Sequence, residues 1–122
     1  MADIKIKWYR EPQKHDYPAA QTYLSLAFKQ RAAAKYVVKL KRAKMATFAA
    51  KDIFRASGLS LLGIGNSHVE NDRTQIIVGN KISPLLLIRN KKLGGLIIAD
   101  GYHRLCAVYT FDEDAIIPCK IV

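Results

Sequence analysis

The sequence predicts an α/β fold of the α+β kind, in one domain spanning residues 1–122, and three observations carry that expectation. Strand-sized apolar runs at 85–88, 96–99 and 116–121 alternate with amphipathic segments of helical period. Glycine, proline and helix-capping residues punctuate the chain at short intervals. The 122 residues, half of them hydrophobic and a quarter charged, suit a single core and an ordered chain.

Ile4, Ile6 and Trp8 alternate with Lys5, Lys7 and Tyr9, the pattern of a short edge strand with its lysines toward water. Glu11, Pro12 and Gln13 end it. Asp16 is expected to cap a helix whose first turn holds Pro18, where a missing N–H costs little. Tyr17, Ala20, Leu24, Ala27 and Phe28 recur at helical spacing and carry this helix to about Gln30. A second helix is expected over 31–45. Ala33, Tyr36, Val37, Leu40 and Ala43 gather on one face, and Arg31, Lys35, Lys39 and Arg42 on the opposite one. Residues 46–50 read as a strand, followed by a short helix over 53–57 capped by Asp52 and stopped by Gly58. Ser67 and Glu70 match a capping box, opening a helix that ends at Gly79. The strands at 85–88 and 96–99 form a hairpin with Lys91 and Lys92 at its tip. A helix from Tyr102 to about Tyr109, the acidic turn Asp112-Glu113-Asp114 and a strand over 116–121 complete the chain.

Several classes are disfavoured by composition. No apolar run approaches the roughly 20 residues of a membrane helix, and the amino terminus has no signal-peptide core. A cytoplasmic location is expected. Cys106 and Cys119 fit two buried thiols in a reduced compartment better than a disulfide. His15, His68 and His103 have no metal-ligand spacing, so no dedicated metal site is expected. Gly63-Ile64-Gly65 has no strand before it and is no nucleotide fingerprint, and no Gly-x-Ser-x-Gly elbow occurs.

Charge is the unusual quantity. Residues 1–60 hold thirteen basic and four acidic side chains, net +9, whereas 61–122 hold seven and six, net +1. Such asymmetry fits an anionic partner, nucleic acid first, and it also fits a solvated face with no partner. The Arg31, Lys35, Lys39, Arg42 stripe is mildly self-repelling, which an anion or salt would relieve.

The densest chemistry lies at Asp100-Gly101-Tyr102-His103-Arg104, where a buried strand meets a glycine and then a helix. Unpaired amides at the helix start, the helix dipole and an arginine in the first turn converge on a volume that suits an oxyanion. Arg104 can give a charged, bidentate hydrogen bond; it can equally pair with Asp100 or with the 112–114 turn.

Ser83-Pro84-Leu85-Leu86-Leu87-Ile88, the hairpin, Asp100-Gly101-Tyr102-His103-Arg104-Leu105-Cys106-Ala107 and Ile117-Pro118-Cys119-Lys120-Ile121-Val122 together resemble the ParB-like and sulfiredoxin-like superfamily. The shared pattern is a strand opening at a proline, a hairpin, a Gly-x-x-Arg-x-x-Ala turn and helix, and a final Ile-Pro strand, over about residues 47–122. The resemblance implies a core at 46–122 with a small mixed sheet, to which 1–45 add a strand and a basic helical extension. It implies that Gly101, His103 and Arg104 bind nucleotide phosphates, with Lys81 and Ser83 as helpers from the facing loop; Tyr102, within the same turn, is expected to share in the binding. ATP or CTP carrying Mg2+ is the implied ligand. Departures set limits. Tyr102 stands where sulfiredoxins carry the cysteine of Gly-Cys-His-Arg, which argues against sulfinic-acid repair. Tyr102, His103 and Cys106 replace the Glu, Arg and Arg of partition proteins.

The expected function is therefore a nucleotide- or phosphate-binding domain acting near nucleic acid. Any nucleic-acid contact is expected to be electrostatic and sequence-tolerant, through Arg31, Lys35, Lys39 and Arg42. One alternative is a small nucleotidase, phosphotransferase or nuclease using the same turn, with His103 and Asp100 as the catalytic residues. Another is a vestigial site on a protein-interaction module.

Overall fold

Four consecutive buried residues, Leu85, Leu86, Leu87 and Ile88, form the axis of the molecule. The computed structural model describes residues 4–90, 92 and 94–122. In chain order it contains β1 (Lys7–Trp8), α1 (Asp16–Ala27), α2 (Gln30–Arg42), β2 (Met45–Ala49), α3 (Ala50–Ser57) and α4 (Ser67–Ile77). β3 (Lys81–Ile82), β4 (Leu85–Asn90), β5 (Gly95–Asp100), α5 (Tyr102–Phe111) and β6 (Ile116–Ile121) follow. Lys91, expected at the hairpin tip, lies outside the described residues.

The main sheet has the order β2-β6-β4-β5. β2 runs antiparallel to β6, β6 parallel to β4, and β4 antiparallel to β5, so the sheet is mixed as expected. Alternate residues of β4 serve opposite layers, because successive strand side chains point to opposite faces. Leu85 and Leu87 join a core containing Ile53, Val69, Ile76 and Leu105, beneath α3, α4 and α5. Leu86 and Ile88 join a second core with Leu24, Val37 and Leu40, beneath α1 and α2. A strand covered on both faces has no polar side, which is why it reads as an unbroken apolar run.

The outer elements follow the expected order with shifted ends. The first strand shrinks to Lys7–Trp8 and pairs in parallel with β3, a two-residue strand too short to show periodicity. Asp16 is the first residue of α1 rather than its cap, and its carboxylate accepts from the Gln13 amide at 2.9 Å. α1 stops at Ala27, where Phe28 turns extended, and α2 begins at Gln30. α3 opens at Ala50, two residues ahead of Asp52, which lies in its first turn. The expected capping box at Ser67 is replaced by Asn66, whose side-chain oxygen accepts from His68 N–H at 3.0 Å and Val69 N–H at 3.2 Å.

Lys120, on β6, is nearly fully buried at 3 % exposure. Its ammonium donates to the Lys41 carbonyl in the last turn of α2 at 2.9 Å, with Glu11 at 3.7 Å and the Tyr17 ring at 5.8 Å. A cation at a helix carboxyl end satisfies an orphan carbonyl and complements the dipole. Both cysteines are buried and free.

Candidate phosphate-binding site

The site is built where β5 hands over to α5. Gly101 occupies the junction with φ +108°, a left-handed conformation that glycine adopts without a Cβ penalty. Space demands glycine as well: a Cβ there would lie 2.8 Å from Leu85 Cγ and 3.0 Å from Arg104 Nη2. The first bond of the helix is Leu105 N–H to the Gly101 carbonyl at 2.9 Å, so the amides of Tyr102, His103 and Arg104 precede the ladder. Among the described residues, no side chain caps this end of α5.

These residues border a polar cavity of about 140 Å³. Asp100, Gly101, Tyr102, His103 and Arg104 supply one wall, and His68, Asn71 and Asp72 from α4 supply the other. α4 is held in place by Val69 and Ile76 in the core and by Arg73, which lies 4.3 Å over the Phe111 ring and donates to Thr110. His68 and His103 face each other with ring centroids 4.8 Å apart.

Arg104 points back along the strand rather than outward. Its Nη2 donates to Asp100 at 2.8 Å and reaches the Pro84 carbonyl at 3.5 Å, while its Nε is buried with no acceptor among the described residues. Of the two partners open to Arg104 on sequence grounds, Asp100 is the one it takes. Burial pushes the Asp100 carboxyl above its ordinary value, and Arg104 only partly offsets this. Asp72 is raised in the same way, by burial first, with Arg104, His103 and His68 opposing. Burial lowers the His103 imidazole, and His68 and Arg104 add to the shift, while Asp72 opposes it.

The other expected residues are distributed as follows. Tyr102 lines the cavity, but its hydroxyl donates to the Ser60 carbonyl. Lys81 and Ser83 do not line it. β1 pairing holds Lys81 on the surface, 6.0 Å from the Tyr9 ring, and Ser83 is buried, donating to Gln13 Oε1 at 2.7 Å. Arg31, Lys35, Lys39 and Arg42 are all exposed on α2, and among the described residues none of them forms an ion pair. Asp114, in the acidic turn, pairs with Lys51.

Sequence reasoning missed His68, Asn71 and Asp72. Their spacing of three and four put them on one helical face. That signal is legible in the sequence but points nowhere until α4 is known to pack on α5. A larger cavity of about 390 Å³ lies at the other end of β5, lined mainly by apolar chains such as Ile53, Leu87, Leu96 and Ile121, and it contains none of the turn residues.

No three histidine, cysteine, aspartate or glutamate side chains among the described residues are grouped to hold a metal ion. No helix among them is long and apolar enough to cross a membrane. Comparison with protein-family models, with curated proteins and with solved structures gives no match to this chain.

Proposed function

We propose that this protein binds a phosphate group of a nucleotide at the amino terminus of α5, as a ParB-like, sulfiredoxin-like domain without redox chemistry. The observation that carries the reading is the Gly101 junction: Tyr102, His103 and Arg104, whose amides precede the helix ladder, line a polar cavity, next to a position where any side chain would strike Leu85. Cavity size refines it. Pockets that engulf a whole small molecule run to roughly 300–1,000 Å³, whereas this one, about 140 Å³, suits a single phosphate. The sugar and base then lie outside, and discrimination among bases is weak. Asp72 lines the cavity and forms no ion pair among the described residues, so it would be the carboxylate to meet a Mg2+ carried by the ligand. Asp100 is less suited to catalysis than the sequence implies, since Arg104 engages it. His103 is the better acid–base group.

Thermal melts with ATP, CTP, GTP and inorganic phosphate test the reading. A ligand at 100 times its Kd adds about 2.7 kcal/mol, so similar upward shifts are expected with the three nucleotides. An unchanged melting temperature with all four would remove it.

A second reading concerns α2. Among the described residues, its basic side chains Arg31, Lys35, Lys39 and Arg42 carry no ion pair, and they project from the layer opposite the cavity, which favours an electrostatic contact with nucleic acid.

A further inference from the structure

Anion binding in this cavity meets a charge problem. Asp72 and Asp100 both line it, and Arg104 is its one fixed cation, already tied to Asp100 at 2.8 Å. With both carboxylates ionised and both imidazoles neutral, the lining carries one net negative charge, from two negative groups and one positive. A phosphate approaching the α5 amides would then be repelled by Asp72. His68 and His103 are the groups able to reverse the sign. They come from different helices, their rings lie 4.8 Å apart, and His68 is exposed while His103 is half-buried. The charged and titratable groups acting on His103 are His68 and Asp72 from α4 and Arg104 from its own helix. Asp100 from β5 and Tyr102 share the cavity. Burial, His68 and Arg104 hold the free imidazole below its ordinary value, so near neutrality it has a site for a proton when negative charge arrives.

We infer that the facing His68–His103 pair is an anion-binding element of this cavity, that it takes up a proton on binding, and that its preferred ligand is a doubly charged terminal phosphate rather than a bridging phosphodiester. The inference rests on the phosphate-binding reading and deepens it. One proton on the pair brings the lining to neutrality and two make it positive. A dianion draws those protons more strongly than the single charge of a diester. The sign of the pH dependence follows. His103 is lowered in the free protein and raised by the bound dianion, so affinity increases as pH falls through the bound-state value. It levels off once pH is below the free-state value. Between the two, the gain is up to about tenfold per pH unit for each proton taken up.

The test is an NMR titration of the histidine rings of the full chain from about pH 8 to pH 5, a span bracketing the ordinary imidazole pKa. It is run in EDTA, without ligand and with sulfate or AMP. Sulfate keeps both charges across that range, so any pH dependence belongs to the protein. Ligand is expected to move both imidazole titrations to higher pH. His68→Gln and His103→Gln should each flatten the pH dependence of affinity while far-UV circular dichroism stays unchanged. At about pH 7.5, above the second phosphate pKa of about 6, AMP should bind more tightly than the diester adenylyl-adenosine. Binding that is independent of pH with unshifted imidazoles, or equal affinity for AMP and the diester, would overturn this inference and leave the phosphate site standing. No binding of any of these anions at any pH would overturn both.

Discussion

At the scale of single residues, the turn sets two demands on the sequence. Gly101 must be glycine for two independent reasons, its φ of +108° and the 2.8 Å approach of Leu85. Gly101→Ala is expected to cost about 2 to 4 kcal/mol, combining backbone strain with overpacking, as a drop in the urea midpoint. Only the strand–glycine–helix pattern was legible in the sequence. The clash was not, because Leu85 belongs to a strand sixteen positions earlier, a separation that follows from the two residue numbers. Arg104 was legible as a residue, and of the partners the sequence left open it takes Asp100. Its side chain is 18 % exposed and paired with an Asp100 that is 17 % exposed. Arg104→Ala therefore strands a largely buried carboxylate, and about 1 to 3 kcal/mol is expected to be lost. The double variant Asp100→Asn/Arg104→Gln removes both charges and should regain most of that stability in the same denaturation. If the double variant is as unstable as Arg104→Ala, the pair is not what anchors Arg104.

At the scale of elements, the reading succeeded where a face was both apolar and periodic and slipped at the ends. Ala33, Val37 and Leu40 are buried on α2 as their spacing requires, and β4, β5 and β6 fall on the expected apolar runs. Caps were harder. Ser67 with Glu70 and Asn66 both offer helix-start chemistry, and the backbone before the helix chose Asn66. β3 escaped notice because its two residues are defined by pairing with β1, a long-range event. α2 makes its own prediction. Replacing Lys35, Lys39 and Arg42 together by Gln should weaken binding to duplex DNA. It should also flatten the salt dependence of that binding by about 0.9 in log–log slope per lost phosphate contact. Gel-shift titrations from low to physiological salt measure this. An unchanged slope in the triple variant would place the contact elsewhere on the surface.

At the scale of the whole molecule, the sheet divides two kinds of chemistry. The α1–α2 layer carries the exposed basic stripe, and the α4–α5 layer carries the polar cavity. Composition revealed the first, since a net +9 over residues 1–60 is visible without coordinates. The second was half visible, because one wall is contiguous in sequence at 100–104 and the other is brought by α4 from 68–72. The central claim is that a phosphate sits on the amides that open α5. Its most direct test is a backbone 1H–15N NMR titration with ATP at near-physiological ionic strength, about 0.15 M, where screening weakens contacts made by exposed charges alone. The largest shifts are expected at the amides of Tyr102, His103 and Arg104, with smaller ones at His68 and Asp72. Shifts confined to α2 or to the apolar cavity, with those three amides unmoved, would contradict the account.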